Sequence, residues 1–182
     1  MNFFEYQDLF TQILSSDNHS APYDNPDYLN YTKLNESRQN RWMKKGIILE
    51  ETKNAFSKID TAQHWIIISE PWCGDAAHIV PFLVKLSELN PKITYEIQLR
   101  DSAPFIIENY LTNRAKAIPK LVIRDENRND LAVWGPRPIE AQELFLELKL
   151  SNANSEQQKI ALQNWYNTDE GVKIQQEICK II

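Results

Sequence analysis

Residues His64-Trp65-Ile66-Ile67-Ile68-Ser69 form a mostly apolar run, rich in β-branched residues, with no alternation of polar and apolar positions. Such a run suits a strand covered on both faces, which requires a sheet with helices packed on each side. The adjoining segments supply both kinds of element. From Cys73 to Leu89, Ile79, Phe82, Leu83 and Leu86 fall on one helical face. Ile93-Thr94-Tyr95-Glu96-Ile97-Gln98-Leu99 then alternates as a second strand. Strand, helix and strand in this order imply parallel strands joined by a right-handed crossover.

Downstream, the spacing predicts a shorter helix over Ala103 to Leu111, with Pro104 in its first turn. Two short strands come next, Leu121-Val122-Ile123 and Leu131-Ala132-Val133-Trp134, separated by the polar turn Asp125 to Asp130. Ile139 to Leu150 returns to helical spacing. Upstream, helices are expected over 3–14, 28–45 (closed by Gly46) and 50–59, and the tail from Ser155 to Ile182 reads as one or two more, broken near 167–171. The expected architecture is α/β: a mixed sheet of about four strands with flanking helices. It divides into a helical N-terminal extension at 1–60, a central domain at 61–150 and a C-terminal helical extension at 151–182.

Charge narrows the function classes. Lys and Arg total 20 against 25 Asp and Glu, and no basic run occurs, so neither nucleic acid nor an anionic membrane surface is an expected partner. No purely aliphatic stretch is longer than Ile66 to Ile68, far short of a spanning helix, and the first eight residues carry acids where a secretory signal has Lys or Arg. Two cysteines make no disulfide scaffold, and a cytoplasmic location is expected. His19, His64 and His78 have no metal-ligand spacing, so neither a metal nor a cofactor is expected.

Chemistry concentrates at Trp72-Cys73-Gly74-Asp75-Ala76, where the buried strand gives way to a helix. Unpaired N–H groups at a helix start favour a thiolate, the nucleophilic form of cysteine. Gly74 leaves room beside the sulfur. Asp75 opposes a second negative charge nearby. His78, five residues on, falls on another helical face and reads as a solvent-facing residue. Cys179, with Ile174, Ile178 and Ile181, reads as a small core-facing residue rather than a remote resolving thiol. Trp65, Trp134 and Trp165 fit core packing, whereas Trp72 is placed to line a recognition surface.

These residues resemble the thioredoxin family. Trp72-Cys73-Gly74 matches its motif, Pro81 lies eight residues after Cys73 at the family's helix proline, and Ile118-Pro119 matches its cis-proline step. Leu121-Val122-Ile123 matches the next strand and Gly135 the glycine that closes the hairpin. The resemblance covers about 60–150 and implies a thioredoxin-like fold. Within the family, the chain is most similar to a bacterial group carrying Cys-Gly-Asp-Ala-Ala. The departures are consistent with one another: Ala76 stands at the second cysteine, Asp75 at the motif proline and Ile67 at the buried acid that assists the second thiol.

The resemblance implies two functions. The first is monothiol thiol–disulfide exchange through Cys73, with Trp72, Gly74, Asp75, Ile118 and Pro119 contacting a protein or low-molecular-weight disulfide and an external thiol resolving the mixed disulfide. The second is a catalytically inactive module that grips an extended peptide or protein, the backbone of Ile118 pairing with it as an added strand. A glutaredoxin-like iron–sulfur or glutathione site would need a Cys-Gly-Phe-Ser motif, which Asp75 and Ala76 do not supply.

Overall fold

A computed structural model describes residues 1–182. Three helices come first: α1 (Phe3–Ser15), α2 (Pro26–Lys45) and α3 (Glu50–Phe56). Asn2 and Glu5 satisfy each other's backbone N–H groups at the start of α1. Asn25 caps α2, with Pro26 in the first position, where a missing N–H costs nothing. Next come β1 (Gln63–Ser69), α4 (Gly74–Ser87) and β2 (Ile93–Leu99), then β3 (Lys120–Arg124), β4 (Asp130–Trp134), α5 (Ile139–Leu150), α6 (Ser155–Asp169) and α7 (Val172–Ile178).

The sheet order is β2-β1-β3-β4. β1 runs parallel to β2, with Trp65 beside Tyr95, and antiparallel to β3, with Ile67 opposite Leu121. Being central, β1 is covered on both faces, and Trp65, Ile67 and Ile68 are fully buried. This explains its continuous apolar reading. Ile67, at the position of the family's buried acid, packs without solvent contact; truncating such a side chain to alanine costs about 2–5 kcal/mol.

α4 carries Pro81 inside it and buries Ile79, Phe82, Leu83 and Leu86, with the Phe82 ring packed against Trp42 of α2. The outer helices share this core. Tyr6 and Phe10 of α1, Trp42 of α2, Tyr166 of α6 and Ile178 of α7 belong to one continuous apolar cluster with the sheet residues. The Tyr6 hydroxyl also reaches the Ser69 hydroxyl at 2.8 Å, tying α1 to the end of β1.

One element differs from the sequence expectation. Residues 103–111 do not form an α-helix; only a 3-10 turn, Ile106–Asn109, is present, preceded by Phe105 at φ 54°. Of its apolar residues only Ile107 is buried. A segment this short cannot offset the cost of helix nucleation with one anchored side chain. It is held instead by distant partners: the Tyr110 hydroxyl donates to Asp130 at 2.7 Å and accepts from Arg124 at 2.7 Å.

The candidate site around Cys73

Cys73 is the N-cap of α4, in extended backbone, immediately before the helix begins at Gly74. Its Sγ donates to the carbonyl of Ile118 at 3.5 Å, and the Ile118–Pro119 peptide is cis. Cys73, Ile118 and Pro119 therefore meet, as the sequence motif implies. Exposure is another matter. Placed at a helix start, the sulfur is expected to be accessible, but Cys73 is only 7% exposed. Burial pushes its thiol up to about 12, with the Asp75 charge adding to the rise; the N–H groups of Ala76 and Asp75 and the Arg137 guanidinium act in the opposite direction. Desolvation outweighs the helix start, and the thiol is protonated at neutral pH.

Ile118 and Pro119 are both buried, and the Ile118 carbonyl is already engaged by Cys73. Gly135, at the end of β4, backs this loop. It sits at φ 113°, and a Cβ there would lie 2.4 Å from the Pro119 carbonyl oxygen, so the position requires glycine. Around the cis-proline the surface is shut.

The other side of Cys73 is open. A cleft of about 450 Å³ lies over Trp72, Cys73, Gly74 and Asp75, walled by α2 on one side and by α5 and α6 on the other. Trp72 meets Tyr28 of α2 edge-on at 5.6 Å, and the Arg100 guanidinium lies 4.6 Å from the Trp72 ring. Gly74 faces Tyr31 across the cleft; a Cβ on Gly74 would come no closer than 3.7 Å to that ring.

Asp75 is not free to act on the sulfur alone. Its carboxylate pairs with Arg137 at 2.6 Å and accepts from the Tyr166 hydroxyl at 2.9 Å. Arg137 in turn stacks on Phe145 of α5 at 4.1 Å and donates to Gln142 at 3.0 Å. His78 corrects its solvent-facing expectation: it is buried, accepting from Trp42 Nε1 at Nδ1 (2.8 Å) and facing Gln163 Oε1 with Nε2 (3.1 Å). Its ring stacks on Tyr166 at 4.6 Å. With Nδ1 accepting, the proton sits on Nε2, and burial lowers the imidazole to about 3. His78 is thus a neutral strut between α2, α4 and α6. Helical periodicity gives its angle around α4 but does not show that two other helices cover that face.

Two further residues have no sequence signal. Glu70, at the end of β1, is buried, accepts from the Asp101 N–H at 2.9 Å and is pushed up to about 7 by desolvation. Arg137 lies in a Pro-Arg-Pro stretch that matches no motif. Cys179 lies beside Thr52 of α3 and does not line the cleft; both cysteines are free.

Residues 22–166 match the family model described as thioredoxin. The chain belongs to the thioredoxin family. The match takes in α2 and most of α6, the two helices that wall the cleft. No curated protein matches the sequence. Among solved structures, the thioredoxin-family chain is similar to an HIV epitope scaffold, at 17% identity and TM-score 0.51, over 94% of this chain and 99% of that one. It is also similar to a Pseudomonas aeruginosa protein of unknown function, at 17% identity and TM-score 0.49, with the same coverage of both chains. No helix is long and apolar enough to cross a membrane.

Proposed function

We propose that this thioredoxin-family protein binds a low-molecular-weight ligand in the cleft over Cys73, with the cysteine acting as a neutral contact in the floor. One observation carries the reading. The face of Cys73 toward Ile118–Pro119 is closed, whereas the face toward α2 and α6 opens into about 450 Å³, a volume suited to a small molecule rather than a protein strand. Native mass spectrometry of the protein after incubation with the fraction of a cell extract below 1 kDa tests it. The expected result is an added small-molecule mass on wild type and on Cys73→Ser, absent from Gly74→Leu, whose side chain projects toward Tyr31. If the wild type gains no small-molecule mass, the reading is wrong.

A second reading, monothiol exchange, is favoured by the place of Cys73 at the head of α4, where two helix N–H groups favour the thiolate against the larger effect of burial. Here the sulfur attacks a small disulfide in the cleft. The Cys73–S bond forms as the disulfide's S–S bond breaks, and the departing thiolate takes up the proton lost by Cys73. An external thiol then attacks the mixed disulfide and restores the free cysteine. A cytoplasmic location belongs to this reading, because reducing compartments keep thiols available. Incubation with oxidised glutathione separates the two: a glutathione adduct on Cys73 within minutes at pH 7 supports exchange, and its absence leaves binding alone.

A further inference from the structure

The walls of the cleft carry more positive charge than they neutralise. Arg137 is engaged by Asp75, but Arg38 of α2 and Lys159 of α6 have no carboxylate partner. Both lie beside the ring of Tyr31: the Lys159 ammonium is 4.2 Å from its centre and the Arg38 guanidinium 5.8 Å. Two cations sharing one ring are thus held no more than about 10 Å apart, at a repulsive cost that a bound anion would relieve. The other acid at the cleft, Asp27, is exposed in the first turn of α2.

Arg38 is also held in position. Asn35, fully buried one turn earlier, accepts from the Arg38 guanidinium at 2.8 Å and donates its amide N–H to the Pro71 carbonyl at 2.9 Å. This strut connects the loop before Trp72-Cys73 to the guanidinium, so the charge is fixed relative to the cleft floor. Partial burial makes that charge costly. Tyr31, Tyr28 and Trp72 supply aromatic surface next to it.

We propose that the cleft recognises a flat or aromatic small molecule bearing an oxyanion, carboxylate or phosphate, paired by Arg38 and Lys159 beside Tyr31. The proposal rests on the reading of the cleft as a small-molecule site and names the chemical class. Arg38, with its planar fork, holds the oxyanion directionally; Lys159, exposed on α6, closes over it as a mobile point charge.

Phenyl phosphate, benzoate, phenol and benzylammonium, titrated into the protein and followed by shifts of Trp72 and Gly74 signals in NMR spectra, test this. Phenyl phosphate and benzoate are expected to bind at least tenfold more tightly than phenol or benzylammonium, with affinity falling as salt is raised. The stronger of the two oxyanions identifies which group the site prefers. Lys159→Glu, at an exposed position, is expected to weaken the anions about tenfold while leaving phenol unchanged, and Arg38→Gln about three- to tenfold. Arg38→Lys, which keeps the charge and loses the fork, is expected to recover part of that loss. Binding of phenol or benzylammonium as tightly as the anions overturns the anion proposal and leaves the small-molecule reading standing. Failure of all four probes to move Trp72 and Gly74 overturns both.

Discussion

The two sides of Cys73 differ in what shapes them. On one side, the Ile118–Pro119 loop backed by Gly135 is local to the sheet and closes on the sulfur, which donates to Ile118 at 3.5 Å. On the other, the boundary is made by helices remote in sequence, α2 and α6, and it stays open. The thioredoxin fold therefore brings the cysteine and the cis-proline together, while access to the cysteine is decided by what packs beyond the sheet. Burial from the closed side and charge from Asp75 both disfavour thiolate, and the helix start cannot overcome them.

The largest expected effect is on the closed side. With the thiol at about 12 rather than 9.0, iodoacetamide should alkylate Cys73 at pH 7 on the order of 10²–10³-fold more slowly than a denatured-peptide cysteine, as followed by mass spectrometry. Asp75→Asn, which removes the adjacent negative charge and leaves Arg137 unpaired, should accelerate the reaction about tenfold. A wild-type rate equal to that of the free peptide would erase the distinction between the two sides.

Next comes Gly135→Ala. A Cβ 2.4 Å from the Pro119 oxygen, at φ 113°, should cost roughly 2–4 kcal/mol in chemical denaturation, because both the backbone and the loop must shift. Gly74→Ala is the matched change on the open side. Its Cβ meets only the Tyr31 ring at 3.7 Å, so stability should change by less than about 1 kcal/mol. Similar losses in both variants would mean that the two sides are equally tight.

A pH profile sharpens the comparison further, at about 1.4 kcal/mol per pH unit at most. Glu70 titrates at about 7 in the fold against an ordinary 4.5, so the folded state keeps a proton that the unfolded chain releases. Its contribution is full below 4.5 and is lost as pH rises to about 7. His78 runs the other way: lowered to about 3 from 6.5, it contributes fully above 6.5 and its contribution is lost as pH falls toward 3. The two slopes oppose each other between about 4.5 and 6.5, so wild-type stability should be nearly flat there. Glu70→Gln removes one slope, and urea denaturation should then show stability falling steadily below pH 6.5. A flat profile in that variant would mean that His78 is not the buried neutral strut between α2, α4 and α6.

Much of the fold and part of the site are legible in the sequence, for reasons tied to particular residues. The run from Trp65 to Ile68 has one reading, a strand buried on both faces, because only burial tolerates so many adjacent apolar side chains. Trp72-Cys73-Gly74, Pro81, Ile118-Pro119 and Gly135 stand in the order and spacing of the thioredoxin pattern, so the resemblance implied the meeting of sulfur and proline loop. The failures involve long-range partners. Residues 103–111 have helical spacing, yet their geometry is held by Arg124 and Asp130 from the β3–β4 hairpin. His78 reads as a surface residue until Trp42 and Gln163, 36 and 85 positions away, are seen to cover it.

The amino-acid order alone thus determined most of the secondary elements, the central strand and the cysteine at the helix start, because each depends on neighbours within a few turns of chain. Tertiary packing decided the state of that cysteine and the shape of the space beside it. A thiol's charge and a cleft's walls depend on desolvation and on atoms contributed from α2, α5 and α6, and no local pattern encodes how closely those distant helices approach.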